Sequence, residues 1–215
     1  MKFKLFTVAL GIALSATAIS ASAQKAYTEG VATYTLSAAQ GEVESKLTFK
    51  GDSSVAETQQ GPANIKLISD LKAAYFAILV DVPVASIKKA VVLTPADMEE
   101  AKKSEPTFTF TPGTETKVIN GFNCTKVDVK ETKSGKAYVA WVTKDITAPV
   151  NSYTRFYATA GGFPVQFTTI QQGQEANVTL KSITDAKAPK GAFAIPGDFD
   201  RISLEDLKAM AGGGN

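Results

Sequence analysis

The chain has 215 residues, with 23 Lys and Arg against 21 Asp and Glu, a single cysteine and no histidine. The missing histidine excludes a Ser-His-Asp triad and, with only one cysteine, any standard zinc or copper site. A formal net charge of +2 without a basic stripe argues against nucleic acid as a partner, because that binding depends on neutralising phosphates.

In chain order, residues 1–23 read as a secretory signal peptide. Lys2 and Lys4 form a short positive region, an apolar stretch from Leu5 to about Leu14 follows, and Ala21-Ser22-Ala23 supplies the small-residue pattern ahead of cleavage. Ser15, Thr17, Ser20 and Ser22 interrupt the apolar run short of the roughly 18 residues that a transmembrane anchor needs. No cysteine follows for lipid attachment. The mature chain is therefore expected to start near Gln24, exported to the periplasm or beyond, without a membrane anchor. Loss of Lys2 and Lys4 brings its formal charge to zero. One cysteine makes no internal disulfide, so stability must come from the core.

Turn signals recur about every ten residues between runs rich in Val, Thr, Ile, Phe and Tyr, the pattern of an antiparallel all-β domain. Strands are predicted near 27–38, 42–50 and 53–60, then in "ANIKLIS", "AYFAILVDV" and "SIKKAVVL". Later strands are "TFTFTP", "ETKVING", "FNCTKVDVKE", "KAYVAWVTKD", "FPVQFTTIQQ" and "EANVTLKSITDA". Lys133-Ser134-Gly135 and Gly173-Gln174 read as hairpin connections. "TPADMEEAKKS" predicts a helix, with Thr94 as N-cap, Pro95 at the first helical position, Asp97 in the first turn and Lys102 and Lys103 in the last. "NSYTRFYATAGG" from Asn151 predicts a second, stopped by Gly161 and Gly162. "SLEDLKAMAGGGN" predicts a third, capped by Ser203 with Asp206 three residues on.

Most strands alternate apolar and polar residues. The segment 74–80 does not: Ala74, Phe76, Ile78 and Val80 lie on one face, Tyr75, Ala77 and Leu79 on the other. Such a strand has both faces covered or lines a cavity. No repeat or long linker divides the chain. The expected organisation is a signal peptide over 1–23, one curved antiparallel β domain over 24–202, and a short helix with a glycine-rich tail over 203–215.

Candidate chemistry is sparse. Cys124 is a nucleophile by type, but no histidine can activate it, and Lys117 and Lys126 are the cations near it in sequence. It reads as a small buried residue. By parity it shares a face with Phe122, Lys126 and Asp128, an awkward setting for a buried thiol, so a bulge at Gly121 is predicted to re-aim it. Glu99, Glu100, Glu205 and Asp206 fall on predicted helices among lysines and read as solvated. Neither "GDSSVAE" nor "PGDFD" has the spaced acidic loop of a calcium site, and no glycine loop opens a helix to cradle phosphate. Asn123-Cys124-Thr125 and Asn177-Val178-Thr179 match the glycosylation pattern but fall within strands, and are taken as chance. No metal or cofactor is expected. The aromatic residues remain. They read as core packing or, if a curved sheet leaves an apolar pocket, as ligand lining, with Phe49, Phe76, Ile78, Trp141 and Phe167 as candidates.

In their order along the chain, "YTEGVATYTLS", "SKLTFKGDSSVAETQQG", "IKLISDLKAAYFAILVD", "TKVINGFNCTKVDVK", "YVAWVTKDI", "GGFPVQF" and "FAIPGDF" resemble the exported bacterial proteins grouped as domain of unknown function 4412. The pieces that carry most are Ile119, Gly121, Phe122 and Cys124 in the Ile-x-Gly-aromatic-x-Cys unit, Gly162 and Pro164 in the Gly-x-Pro turn, and Pro196 closing "FAIP". The resemblance supplies no catalytic residues. It extends, as fold analogy, to the periplasmic lipoprotein-carrier fold, which implies a strongly curved half-barrel of about ten or more antiparallel strands with two or three helices, one against the concave face. On this reading the chain is a non-enzymatic envelope protein binding an apolar ligand such as a lipid or an acylated protein. Two rivals stay open, an interaction module whose core is full and a hydrolase using carboxylates alone. Oligomeric state is left open.

Overall fold

The computed structural model describes residues 24–38, 41–171 and 174–212. The signal-peptide reading of residues 1–23, Gly173 of the second predicted hairpin turn and residues 213–215 of the glycine tail lie outside them. The described strands are β1 (Lys25–Ala26), β2 (Glu29–Ala38), β3 (Gly41–Lys50), β4 (Ser53–Gln60), β5 (Ala63–Asp70), β6 (Tyr75–Val82), β7 (Ile87–Val92), β8 (Phe108–Ile119), β9 (Phe122–Glu131), β10 (Ala137–Thr143), β11 (Ile146–Thr147), β12 (Phe163–Gln171), β13 (Gln174–Thr184) and β14 (Asp200–Arg201). Two helices, α1 (Pro95–Lys103) and α2 (Leu204–Gly212), complete them with short 3-10 turns at Pro83–Ala85 and Arg155–Tyr157.

Twelve strands form one open sheet in the order β14-β7-β6-β5-β4-β3-β2-β13-β12-β10-β9-β8, antiparallel except for the short β7–β14 pair. β1 and β11 make a separate parallel patch. The mainly β half-barrel expected from the sequence is therefore the observed class. Sheets beyond about ten strands curl, and here β8 and β14 remain as free edges.

α1 forms where its caps predict. Thr94 Oγ1 accepts from the Asp97 amide at 3.2 Å, and the Asp97 carboxylate accepts from the Thr94 amide at 2.8 Å, a full capping box. Ser203 and Asp206 make the same reciprocal bonds at the start of α2. The segment from Asn151 is the exception. Aromatic and β-branched residues weaken its helical preference, and it winds only a 3-10 turn at Arg155–Tyr157 before Gly161, at φ +86°, ends it. Asn151 Oδ1 accepts from the Tyr153 and Thr154 amides, which fixes its entry.

That segment fills the concave side. Register places Tyr34, Leu47, Phe49, Val129, Phe167 and Leu180 on one face of the sheet, the inner face, and all are buried. Tyr153 stacks edge-on against Tyr34 at 5.3 Å and shares a 2.8 Å hydrogen bond with Ser45. Tyr157 packs on Phe167, Phe108 and Phe110, with its hydroxyl donating to Thr168 O at 2.6 Å. The outer face is covered in a second cluster, where Val55, Ile68, Ala77, Leu79 and Ala90 meet Phe193, Ile195 and Phe199. The strand apolar on both sides, β6, thus has its Ala77 and Leu79 face buried under the chain's last irregular stretch.

The bulge predicted at Gly121 is not there. Asn120 and Gly121, at φ +49° and +85°, form a tight two-residue hairpin turn, and pairing runs without interruption from Ile119↔Phe122 to Thr116↔Thr125. The irregularity in this hairpin lies further along β8, between Pro112 and Thr116.

Candidate functional site

The inner face divides into two halves of different character. Over β2, β3, β9, β12 and β13 it is packed against Tyr153 and Tyr157, with Leu36, Phe108, Phe110 and Tyr138 half-buried at its margins. Over β5 and β6 it is not: Leu67 pairs with Ile78 and Ile65 with Val80, and these four, with Phe76 next along β6, are all half-buried. Their alternation places every second side chain on this face, so the strip from Phe76 to Val80 runs about 14 Å. Leu67 and Phe156 touch the main core; Phe76, Ile78, Val80 and Ile65 extend outward from it. A groove of about 420 Å³ near Ile65 lies mainly on the opposite, outer face, where Glu57, Gln59, Asn64, Lys66 and Asp81 line it.

Arg155 and Phe156 form the wall. The guanidinium lies 4.2 Å from the centre of the Phe156 ring and 6.0 Å from that of Phe76, and one of its nitrogens donates to Glu105 at 2.7 Å. α1 forms the roof. β7 stands near one end of the strand order and β8 at the other, so residues 93–107 must cross the open side of the sheet. Leu93 N donates to Phe76 O at 2.9 Å at the near end. At the far end Glu105 meets Arg155, while Lys133 Nζ donates to the carbonyls of Lys103 and Glu105. No residue of α1 is buried, so the helix does not plug the concave side.

The five candidate lining residues separate accordingly. Phe49 and Phe167, 2% and 1% exposed, are core. Phe76 and Ile78 line the half-open strip. Trp141 lies on the outer face: it pairs with Lys126 and Gln166, whereas Ala140 beside it is fully buried within. There the Lys117 ammonium sits 4.1 Å from its ring and also donates to Gln166 Oε1 at 3.1 Å. A polar groove of about 630 Å³ adjoins it, lined by Thr35, Gln166, Asn177 and Thr179 among others.

The motif residues are structural. Asn120 Nδ2 donates to Leu180 O at 2.8 Å, although β13 stands three strands from β9 in the sheet. The hairpin tip must therefore fold back over the outer face, as the Lys117 contacts with Trp141 and Gln166 require. This resolves the parity conflict at Cys124. The thiol points outward with Phe122 and is buried beneath the folded tip, donating to Phe122 O at 3.4 Å; burial pushes its pKa up to about 11. A thiol so protonated at neutral pH is a poor nucleophile. Gly162 lets β12 start against β10, because a Cβ there would lie 2.7 Å from Thr143 O, and Pro164 pairs with Val142. Pro196 sits between Ile195 and Phe199 in the stretch that covers the outer cluster.

One group escaped the sequence reading. Glu131, buried at the end of β9, accepts from the amides of Thr107, Lys133 and Ser134, and these bonds hold its carboxyl down at about 2. It ties the Lys133-Ser134-Gly135 turn to the start of β8. Its place in "KETKSGK" gave a local signal, a carboxylate just ahead of a glycine turn, but not the contact to Thr107. Among the described residues no cluster of three or more His, Cys, Asp or Glu could hold a metal ion, and no helix is long and apolar enough to cross a membrane.

No protein-family model matches the sequence, and no curated protein matches it. Among solved structures, an uncharacterized conserved protein from Thermus thermophilus is similar at a TM-score of 0.51 and 10% identity, over 82% of this chain and 90% of that one. LprF from Mycobacterium bovis is similar at 0.34 and 13%, over 80% and 90%. PNGF-II is similar at 0.46 and 15% over 85% of this chain, which spans only 32% of the length of PNGF-II. The first of these shares the fold.

Proposed function

We propose that this chain is an exported, non-enzymatic envelope protein that binds a hydrophobic ligand, such as a lipid or an acylated protein, along the inner face of β5 and β6. The observation that carries the reading is the contrast within one sheet face: Ile65, Leu67, Phe76, Ile78 and Val80 on two neighbouring strands all stay half-buried, whereas Tyr34, Leu47, Phe49, Phe167 and Leu180 at its centre are buried. A continuous strip of half-buried apolar side chains favours occupation by something apolar. The signal-peptide pattern supports export. Titration of the purified chain with a fluorescent fatty acid, alongside native mass spectrometry of protein from its source cell, tests the reading. Uptake or a co-purifying lipid is expected; neither uptake nor lipid overturns it.

A second reading, an interaction module with a full core, draws on the burial of Phe49, Phe167, Tyr153 and Tyr157. It predicts that the strip is covered by a protein partner and takes up no free lipid.

A further inference from the structure

The apolar strip ends in a cation, and the rest of its lining does not explain one. Arg155 is wedged between the Phe156 ring at 4.2 Å and the Phe76 ring at 6.0 Å, with its side chain about one-third exposed at 32%. Placing a guanidinium beside apolar surface costs hydration that must be recovered by hydrogen bonds or charge. A guanidinium carries five N–H donors. Among the described residues, one bond is formed, to Glu105 Oε1 at 2.7 Å. Glu105 is itself held by its backbone, since Lys133 Nζ donates to its carbonyl at 2.6 Å, and its side chain is 28% exposed. The pair therefore sits at the boundary between strip and water with most of the guanidinium's donor capacity uncommitted.

The second cation on this face has a different standing. Lys89 lies beside Val80 at the opposite end of the strip, but its ammonium is paired with Asp200 at 2.8 Å, on the strand that hydrogen-bonds to it. It closes the sheet edge.

Resting on the hydrophobic-ligand reading above, we infer that the ligand is a single-chain amphiphile with an anionic head, its chain along Ile78, Val80, Leu67 and Ile65 and its carboxylate on Arg155. The strip is two strands wide, which suits one chain better than several. A carboxylate head uses the planar fork that Arg155 offers, bidentate where Glu105 reaches only one nitrogen. Glu105 then competes with the ligand head for the guanidinium.

Binding of oleate and of oleyl alcohol to the full chain separates the two layers of this claim. Oleate is expected to bind more tightly than the alcohol. Arg155→Met, which keeps an apolar stem, is expected to weaken oleate by about tenfold while leaving the alcohol unchanged. Glu105→Gln is expected to tighten oleate several-fold with no change for the alcohol, and Lys89→Met to change neither. If neither probe binds, the hydrophobic-ligand reading fails and this inference with it. If both bind alike, or Arg155→Met weakens both equally, the head-group assignment falls while the apolar site stands. Should Arg155→Met not fold, Glu105→Gln decides alone, and an unchanged oleate-to-alcohol ratio overturns the assignment.

Discussion

The two halves of the inner face are built from the same kinds of residue and end in different states. Over β12, β13 and β2, the aromatic side chains of the 151–160 segment reach the sheet, and Phe167, Leu180 and Tyr34 become fully buried. Over β5 and β6 the register is as regular and the side chains as apolar, but they stay half-buried, and the connecting helix α1 buries none of its residues. The difference is thus not in the strands. It lies in what the chain supplies against them: the first half receives Tyr153 and Tyr157, and α1 buries no residue in the second. A sheet face left half-covered by its own chain is where an outside molecule gains most from burial.

If that contrast holds, equivalent truncations should behave differently on the two sides. Tyr157→Ala removes a ring that touches Phe108, Phe110 and Phe167 and a hydrogen bond to Thr168 O. A loss of about 3–5 kcal/mol is expected from chemical denaturation, the range for deleting a large buried aromatic. Ile78→Ala, on the half-open strip, is expected to cost less than about 2 kcal/mol, because the side chain is already partly in water. It should nevertheless weaken fatty-acid uptake, which Tyr157→Ala variants that remain folded should largely keep. Equal destabilisation by the two substitutions would mean that the strip is core after all.

How much of this was written in the sequence depends on the range of the contact that decides it. The strands follow from local alternation and turns, and β2, β3 and β4 begin and end within two residues of their predicted limits. The caps of α1 and α2 are three-residue patterns and were equally legible. Trp141 could have been set apart from the other lining candidates, since "AYVAWVT" places it opposite Ala140 and Val142 by simple parity. Asn120-Gly121 is the strongest short signal for a hairpin, and reading it as such would have removed the bulge at Gly121. What alternation could not give is which segment lies over which half of the face. The Arg155–Glu105 pair joins residues 50 positions apart, and Asn120 reaches Leu180 across 60, each set by how the sheet curls. Cys124 shows the cost: parity places it on the outer face, while its burial comes from contacts beyond its own strand.

The smallest expected effect is at Glu131, on the rim of the closed half. Its carboxylate accepts amides of the 133–134 turn and of Thr107, and so anchors the connection from α1 into β8. Because its folded pKa is lowered from 4.5 to about 2, the folded state binds the proton less readily than the unfolded chain does. Its contribution is therefore fully present above pH 4.5 and is lost as the pH falls from there through about 2. Glu131→Gln keeps the shape but not the charge, so its melting temperature should lie a few degrees below the parent at pH 7. The two curves should converge as the pH approaches 2. A gap that persists unchanged into acid would show that the ionised carboxylate does not hold the turn, and that the closed half owes its order to Tyr153 and Tyr157 alone.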